Sequence, residues 1–183
     1  MNHLTYFMRK SNKISSSQSG FTLVELVIVM IILGIIAATI NSKFINLKSD
    51  ANKAVLESMG GAILSAANKV YMKSIIAGVL NTPRTMFDLD GDGINDVEVQ
   101  YGYPSANRNE SISKIMGGNF ATEWTWSTTY GDTRFWLTTS SLGGRSGVYV
   151  NQTAVLNSGC YILYDPVIII GGAPQISYVT TNC

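Results

Sequence analysis

The apolar run from Phe21 to Ile40 limits what this chain can fold into more than any other feature. A helix of this length would span about 30 Å, which matches the hydrocarbon core of a bilayer. The run contains one carboxylate, Glu25, and no other charged residue. The sequence therefore predicts a membrane helix here and leaves enough residues for one compact domain beyond it.

The segment before this run is polar and basic. Arg9, Lys10 and Lys13 lie in it, and it contains no acidic residue. Basic residues on this side of the helix predict a cytoplasmic N-terminus and place the rest of the chain outside. An ordinary secretory signal is cleaved after its apolar region, whereas the candidate processing site here, Ser19-Gly20, comes before it. Cleavage there would leave the apolar helix as the new N-terminus.

These residues resemble the N-terminus of type IV prepilins. Gly20 stands at the last leader position, Phe21 at the first mature position and Glu25 at the fifth, and the run LVIVMIILGIIAA follows. The resemblance implies that a membrane prepilin peptidase cuts between Gly20 and Phe21 and methylates the new amino group. It also implies a subunit that remains in the inner membrane until it joins a filament.

Glu25 needs an explanation because a carboxylate inside hydrocarbon costs up to a few kcal/mol, although less near a helix end. Its side chain could extend to the membrane interface, or approach the Phe21 ammonium of its own helix, since residues four apart share a face. It could also neutralise the Phe21 ammonium of a neighbouring subunit. The family resemblance implies this last arrangement, in which the charge is satisfied when the subunit joins the filament.

The helix is predicted to continue beyond the apolar run as an amphipathic half. Apolar residues recur there mostly at three- and four-residue steps, with lysine and glutamate largely between them. We therefore predict one helix from about Phe21 to about Gly78, whose second half packs a stripe under a sheet. Gly60-Gly61 fits either ordinary small-residue packing or a weak point in the helix. The predicted stripe consists of Phe44, Leu47, Ala51, Val55, Met59, Ala62, Ala66, Val70 and Ala77.

The C-terminal part reads as strands. Alternation predicts that Trp124 and Trp126 share one face of a strand, where sheet packing is favoured over sugar binding. An antiparallel sheet laid on the amphipathic helix gives an α+β fold, and the resemblance implies the type IV pilin fold. Predicted strands cover 122–128, 134–139, 147–150, 160–165 and 175–181. The predicted regions are a cleaved leader (1–20), a membrane or filament-core helix (21–40), its amphipathic half (41–78), a connecting loop region (79–120) and the sheet with a disulfide-bounded region (121–183).

Cys160 and Cys183 are the two cysteines of the chain. In an exported protein they most simply form one disulfide, with two free thiols as the alternative. The closed loop would contribute roughly 3 kcal/mol in the chain-entropy model.

The stretch DLDGDGINDVE, residues 88–98, resembles the calcium loops of EF-hand-like and extracellular repeat proteins. Oxygen ligands at alternating positions can surround a hard cation, and the glycines allow the tight turn. The twelfth position holds Val99 where an EF-hand needs glutamate, and Glu98 comes one step early, so we expect a modest calcium site. The alternative is a solvated acidic turn. The expected ligands are the side chains of Asp88, Asp90 and Asp92, the carbonyl of Ile94, and Asp96 directly or through water.

Two further stretches, 43–74 and 101–106, resemble the mannose-sensitive haemagglutinin (MSHA) branch of type IVa pilins. The expected function is a structural subunit that polymerises into a surface fibre for attachment. The resemblance implies an assembly ATPase and an inner-membrane platform protein as partners, while the surface receptor stays unknown. The alternatives are a type II secretion pseudopilin, a minor pilin and a DNA-uptake pilin.

Neither an enzyme nor a nucleic-acid-binding protein is expected. The lone histidine, His3, lies in the predicted leader, and the cysteines are predicted to be paired, so common acid–base and nucleophilic groups are missing. Arg134 and Arg145 are the cations of the predicted strand region, too few for strong phosphate binding.

Overall fold

The computed structural model describes residues 20–148 and 152–183, with side chains throughout these ranges except at residues 41–46. The predicted leader therefore lies outside the described residues except for Gly20. The chain divides into two compact units, the first ending at Lys43 and the second comprising Phe44–Cys183. Helix α1, Leu23–Ala77, begins in the first unit and ends in the second. The prediction of one uninterrupted helix is thus confirmed to within two residues at each end.

The first unit presents an apolar helical surface. Within the described residues, Leu23–Ile40 is the helical segment long and apolar enough to cross a membrane, and none of it is buried within the chain. Fourteen large apolar side chains between Phe21 and Ile40 are at least 43% exposed. Covering them with hydrocarbon or with other helices is worth on the order of 20–40 kcal/mol, so this segment requires an apolar environment.

In the second unit, the face of α1 that is buried differs from the predicted stripe. Of the predicted residues, Leu47 is 64% exposed and Val55 is 45% exposed. Val70 of the predicted stripe is buried, but most of the buried face lies about 100° further around the helix, one residue along the chain. The buried face consists of Leu56, Gly60, Ile63, Ala67, Val70 and Ser74.

This error has a simple physical origin. Both stripes repeat at three- and four-residue steps, so periodicity alone does not distinguish between them. The predicted stripe is rich in alanine, whereas the buried stripe places Leu56 and Ile63, both completely buried, against the sheet. The amount of apolar surface does not decide between the two faces, since the buried face also contains Gly60 and Ser74 and the predicted stripe contains Met59.

Gly60 leaves room for the Tyr178 ring against α1. A Cβ atom at this position would lie 2.1 Å from the hydroxyl oxygen of Tyr178, whereas nothing lies within 4 Å of a Cβ at Gly61. Of the two roles that the sequence left open for this glycine pair, the structure supports close packing at Gly60.

The region predicted as a connecting loop, 79–120, contains a small antiparallel sheet of order β1-β2-β3. Val70 of α1 packs there with Phe87, Val97 and Val99. The sequence missed these strands because they are short and are separated by segments rich in glycine, asparagine and aspartate. The elements of this region are β1 Thr85–Phe87, β2 Val97–Gln100, β3 Tyr103–Pro104, α2 Ile112–Ile115 and the first residue of α3 Phe120–Glu123.

The main sheet has five strands in the order β6-β4-β5-β7-β8. Four of the five predicted strands are present at the predicted places, and the fifth, 147–150, is described for its first two residues. The sheet is antiparallel, as predicted, except at one edge, where β6 pairs with β4 in parallel. The chain leaves β5 through α4 and returns on the other side of β4, so β6 runs in the direction of β4. The elements are β4 Trp124–Thr128, β5 Phe135–Thr139, α4 Ser140–Gly143, β6 Gly147–Val148, α5 Thr153–Asn157, β7 Tyr161–Asp165 and β8 Gln175–Val179.

The tryptophans belong to the packed sheet, as predicted. Trp124 and Trp126 are each 6% exposed and lie in the core cluster that also contains Leu56 and Ile63 of α1. The indole nitrogen of Trp126 donates a hydrogen bond to the carbonyl of Arg108 at 2.8 Å. This bond satisfies the polar atom of a buried ring.

Candidate functional site

The start of α1 holds a reciprocal capping arrangement. The Thr22 backbone N–H and hydroxyl donate to Oε2 of Glu25 at 3.0 and 3.1 Å, and the Glu25 N–H donates to the Thr22 hydroxyl oxygen at 3.3 Å. The carbonyl of Thr22 accepts the bond from the Leu26 N–H at 3.4 Å. Thr22 therefore acts as the N-cap and Glu25 as the returning acid of a capping box.

The capping box provides hydrogen-bond partners for the Glu25 carboxylate in a single copy of the chain. Its carboxylate accepts two hydrogen bonds from Thr22, and it lies at the positive end of the helix dipole. Phe21 is the partner expected from the sequence, whereas Thr22 is the partner in the structure. The signal was present, because Thr22 and Glu25 form the T-x-x-E pattern directly before an apolar run.

The predicted cleavage point lies next to this box. Phe21 is 85% exposed, Gly20 is exposed, and nothing lies within 4 Å of a Cβ at Gly20. Gly20, Phe21, Thr22 and Glu25 together line a shallow surface depression. The structure thus brings the predicted processing and assembly residues together and leaves the peptide bond between Gly20 and Phe21 accessible.

The aspartate loop between β1 and β2 gathers four carboxylates. Asp88, Asp90, Asp92 and Asp96 each offer one oxygen atom, and these atoms all lie within 4.8 Å of one another. Asp88 and Asp96 are partly buried, and Asp90 and Asp92 are exposed. The arrangement brings together the four predicted carboxylate ligands.

Backbone N–H groups hold these side chains in place. Asp88 accepts bonds from Gly91 at 2.7 Å and from Gly93 at 2.8 Å, and the two glycines have φ values of 88° and 90°. These bonds lower the pKa of the Asp88 carboxyl below its usual range. Asp92 accepts a bond from Ile94 at 2.7 Å. The glycines are required here because other residues rarely adopt this backbone conformation.

The neighbouring acid, Glu98, lies apart from this cluster. Its carboxylate accepts a bond from the Ser105 hydroxyl at 2.6 Å and forms an ion pair with the Arg84 guanidinium at 3.4 Å. Glu98 therefore stabilises the small sheet. The role predicted for the Ile94 carbonyl stays a prediction.

Cys160 and Cys183 are joined by a disulfide, with their Cα atoms 4.8 Å apart. The carbonyl of Cys183 accepts a hydrogen bond from the Asn52 side chain of α1 at 2.8 Å, and Asn182 donates to the carbonyl of Gly159 at 3.0 Å. Residues 182 and 183 are therefore held both to the segment just before β7 and to α1.

The fold and the site define a class of protein: a membrane-length apolar helix begins at a capped carboxylate and leads into an α+β domain. The chain's residues 15–41 match the family model described as the prokaryotic N-terminal methylation motif. The motif indicates a type IV pilin-like or pseudopilin-like precursor that is processed by a prepilin peptidase and anchored in the membrane before assembly. No curated protein and no solved structure matches the chain.

Proposed function

We propose that the chain is the structural subunit of an MSHA-like type IV pilus that mediates surface attachment. The proposal is carried by one observation: the methylation motif coincides with an apolar helix that is fully exposed in the single chain. A helix with this surface needs either lipid or other helices around it. Storage in the inner membrane followed by polymerisation supplies both environments in turn.

The proposed partners follow from this function. They are further copies of the chain, the prepilin peptidase, and an inner-membrane platform protein with its ATPase. The role is structural rather than enzymatic, with no nucleic-acid ligand. The resemblance of the amphipathic half and of residues 101–106 to MSHA pilins supports this branch.

Assembly would exchange the partner of Glu25. Before cleavage, the Glu25 carboxylate accepts two bonds from Thr22. Cleavage after Gly20 creates an ammonium group at Phe21 within an apolar surface, and this group needs an anion. The Thr22 bonds are charge-assisted on the acceptor side, but they leave the negative charge of Glu25 without an opposite charge. The ammonium of a neighbouring copy supplies that charge in an apolar surface, where opposite charges attract more strongly than in water, so it is the better partner for Glu25.

The substitution Glu25→Gln tests this exchange. Glutamine can serve in a capping box as glutamate does, so the substitution removes the charge and keeps the Thr22 contacts. We expect normal cleavage, Phe21 methylation and membrane insertion, measured by intact mass and membrane fractionation, with loss of incorporation into sheared fibres. Thr22→Ala is the matched control, because it removes cap bonds and keeps the charge. Normal fibres from Glu25→Gln would contradict the charge pairing.

Shear preparation also separates the alternatives. Long extracellular fibres that contain this chain along their length favour the major pilin, whereas label restricted to the tips in immunogold microscopy indicates a minor pilin. A chain that stays in the cell envelope, together with impaired protein secretion on its deletion, indicates the pseudopilin.

We also propose that the aspartate loop binds calcium. Asp88, Asp90, Asp92 and Asp96 would hold the ion, whose two positive charges would offset part of the repulsion among the four carboxylates. Calorimetry of the full chain in detergent tests this, with a millimolar affinity expected for the unsubstituted chain and no measurable binding for Asp90→Ala, which removes the ligand oxygen. Glu98→Gln is the control that should bind normally. Absence of calcium-dependent heat in the unsubstituted chain would leave a solvated acidic turn.

A further inference from the structure

Three consecutive isoleucines are exposed in the loop between β7 and β8. Ile168, Ile169 and Ile170 are 74%, 65% and 63% exposed. The connection from residue 166 to residue 174, PVIIIGGAP, contains no charged side chain. An exposed apolar patch of this kind marks an interaction site, and the absence of charge calls for an apolar partner surface.

The base of this isoleucine loop is fixed to the domain. Val167 is 3% exposed and packs with Ala67 of α1 and with Tyr103 of the small sheet. The Gly172 N–H donates to the carbonyl of Ile169 at 3.1 Å and closes a turn. The domain therefore holds the apolar tip in a defined place, which reduces the entropy that a contact must overcome.

A wide, open groove of about 400 Å³ lies elsewhere on the same domain. Its surface is mostly apolar, although Glu123 also lines it. Val55 and Ala62 in its wall belong to the helical stripe that the sequence predicts to be buried, and both are exposed. Met59 of the same stripe is half-buried against the core. The groove is lined by Ala54, Val55, Ser58, Met59, Ala62, Glu123 and Trp124.

The isoleucine loop and the groove face different sides of α1. Ser58 in the groove and Ala67 under the loop are nine residues apart, which is half a turn around the helix and about 14 Å along it. Ala67 is completely buried, whereas Ser58 is exposed. The loop therefore does not fill the groove of its own copy, and each copy presents both a protrusion and a recess.

We propose that the isoleucine loop of one copy inserts into this groove of a second copy. A contact between two different surfaces repeats from copy to copy and produces an open helical fibre unless the rotation closes a ring. The loop offers a few hundred Å², well below the roughly 800 Å² per partner of a stable complex. The contact is thus too small for a dimer in solution and acts together with the helical contacts of a filament, so it rests on the proposed function.

A photo-reactive benzophenone amino acid at Ile169, placed in the full chain in assembling cells, identifies what covers the loop. We expect a cross-link to the peptide that begins at Ala54 and ends at Lys69 of another copy. The same probe at Tyr130, a fully exposed residue of the β4–β5 turn, is the control and should not label that peptide. Adducts at Ile169 with lipid, with another protein or with a different part of the chain would overturn the proposal.

Two substitutions test the contact from both sides. Ile169→Asp places a charge on the loop, and Ser58→Phe fills the groove. With unchanged cleavage, membrane level and melting temperature, each should lower the fibre yield at least tenfold, whereas Tyr130→Asp should not. Unchanged fibre yields from both variants would refute the contact between loop and groove and leave the subunit function standing. Absence of fibres from the unsubstituted chain refutes the subunit function itself.

Discussion

The adjacent glycines of α1, Gly60 and Gly61, should respond oppositely to replacement by alanine. At Gly60 the new methyl carbon would lie 2.1 Å from the Tyr178 hydroxyl oxygen, about 1.3 Å short of ordinary 3.4 Å contact. Overpacking of this kind costs about 1–3 kcal/mol, and alanine returns about 0.5–1 kcal/mol of helix propensity. We expect Gly60→Ala to lower the free energy of unfolding by about 1–2 kcal/mol. Gly61→Ala meets nothing within 4 Å and should raise it by about 0.5–1 kcal/mol.

Thermal unfolding of the processed chain in detergent measures this difference. The three tryptophans report on the sheet because all are at most 7% exposed. A net difference of about 2 kcal/mol between the two variants corresponds to roughly 4–8 °C in melting temperature for a domain of this size. The helix propensity term is the same at both positions, so the difference isolates the contact with Tyr178.

A third variant tests whether the Tyr178 ring causes the destabilisation expected for Gly60→Ala. On a Tyr178→Ala background the obstructing ring is absent, so Gly60→Ala should become stabilising by about 0.5–1 kcal/mol, as at Gly61. If Gly60→Ala melts at or above the temperature of Gly61→Ala in the presence of Tyr178, the tight contact between Gly60 and the Tyr178 ring is wrong.

Three further predictions concern other contacts of the domain. Replacing Cys160 and Cys183 by serine should cost about 3 kcal/mol, because the disulfide closes a loop with a sequence separation of 23 residues; urea unfolding with and without reductant measures it. Arg84→Ala should cost about 1 kcal/mol, since the guanidinium donates to the Asp132 carbonyl at 2.9 Å, and Arg84→Lys should recover only part of this loss. Backbone hydrogen bonds lower the pKa of Asp88 in the folded chain. The stability that Asp88 contributes should therefore be complete above the unfolded-state pKa of about 3.9 and should be lost as the pH falls through the lower folded-state pKa. Carboxyl NMR titration measures the folded-state pKa, and the pH dependence of stability should diminish in Asp88→Asn.

The sequence predicted those features that arise from local chemistry. The apolar run, the four main strands and the aspartate loop each carry their signal within about twenty residues. The disulfide followed from the number of cysteines and their expected compartment. The capping of Glu25 by Thr22 is equally local and was available from the T-x-x-E pattern.

Features that depend on distant parts of the chain were missed. The parallel pairing of Gly147 with Thr125 depends on which sheet edge the chain reaches after α4. The strands around the aspartate loop are two to four residues long and are stabilised by contacts with Val70 of α1. No periodicity in so short a stretch indicates such pairing.

The wrong prediction of the buried stripe on α1 differs from these missed features, because both of the candidate faces are apolar. The helix carries two apolar faces with the same spacing, and a single sheet can cover only one of them. The sheet covers the face with Leu56 and Ile63, whereas Val55 of the other face is 45% exposed. A monomeric domain gains nothing from a second apolar face, since its exposure to water is unfavourable. A subunit of a polymer does gain from it, because each copy must keep apolar surface for its neighbours after its own core is complete.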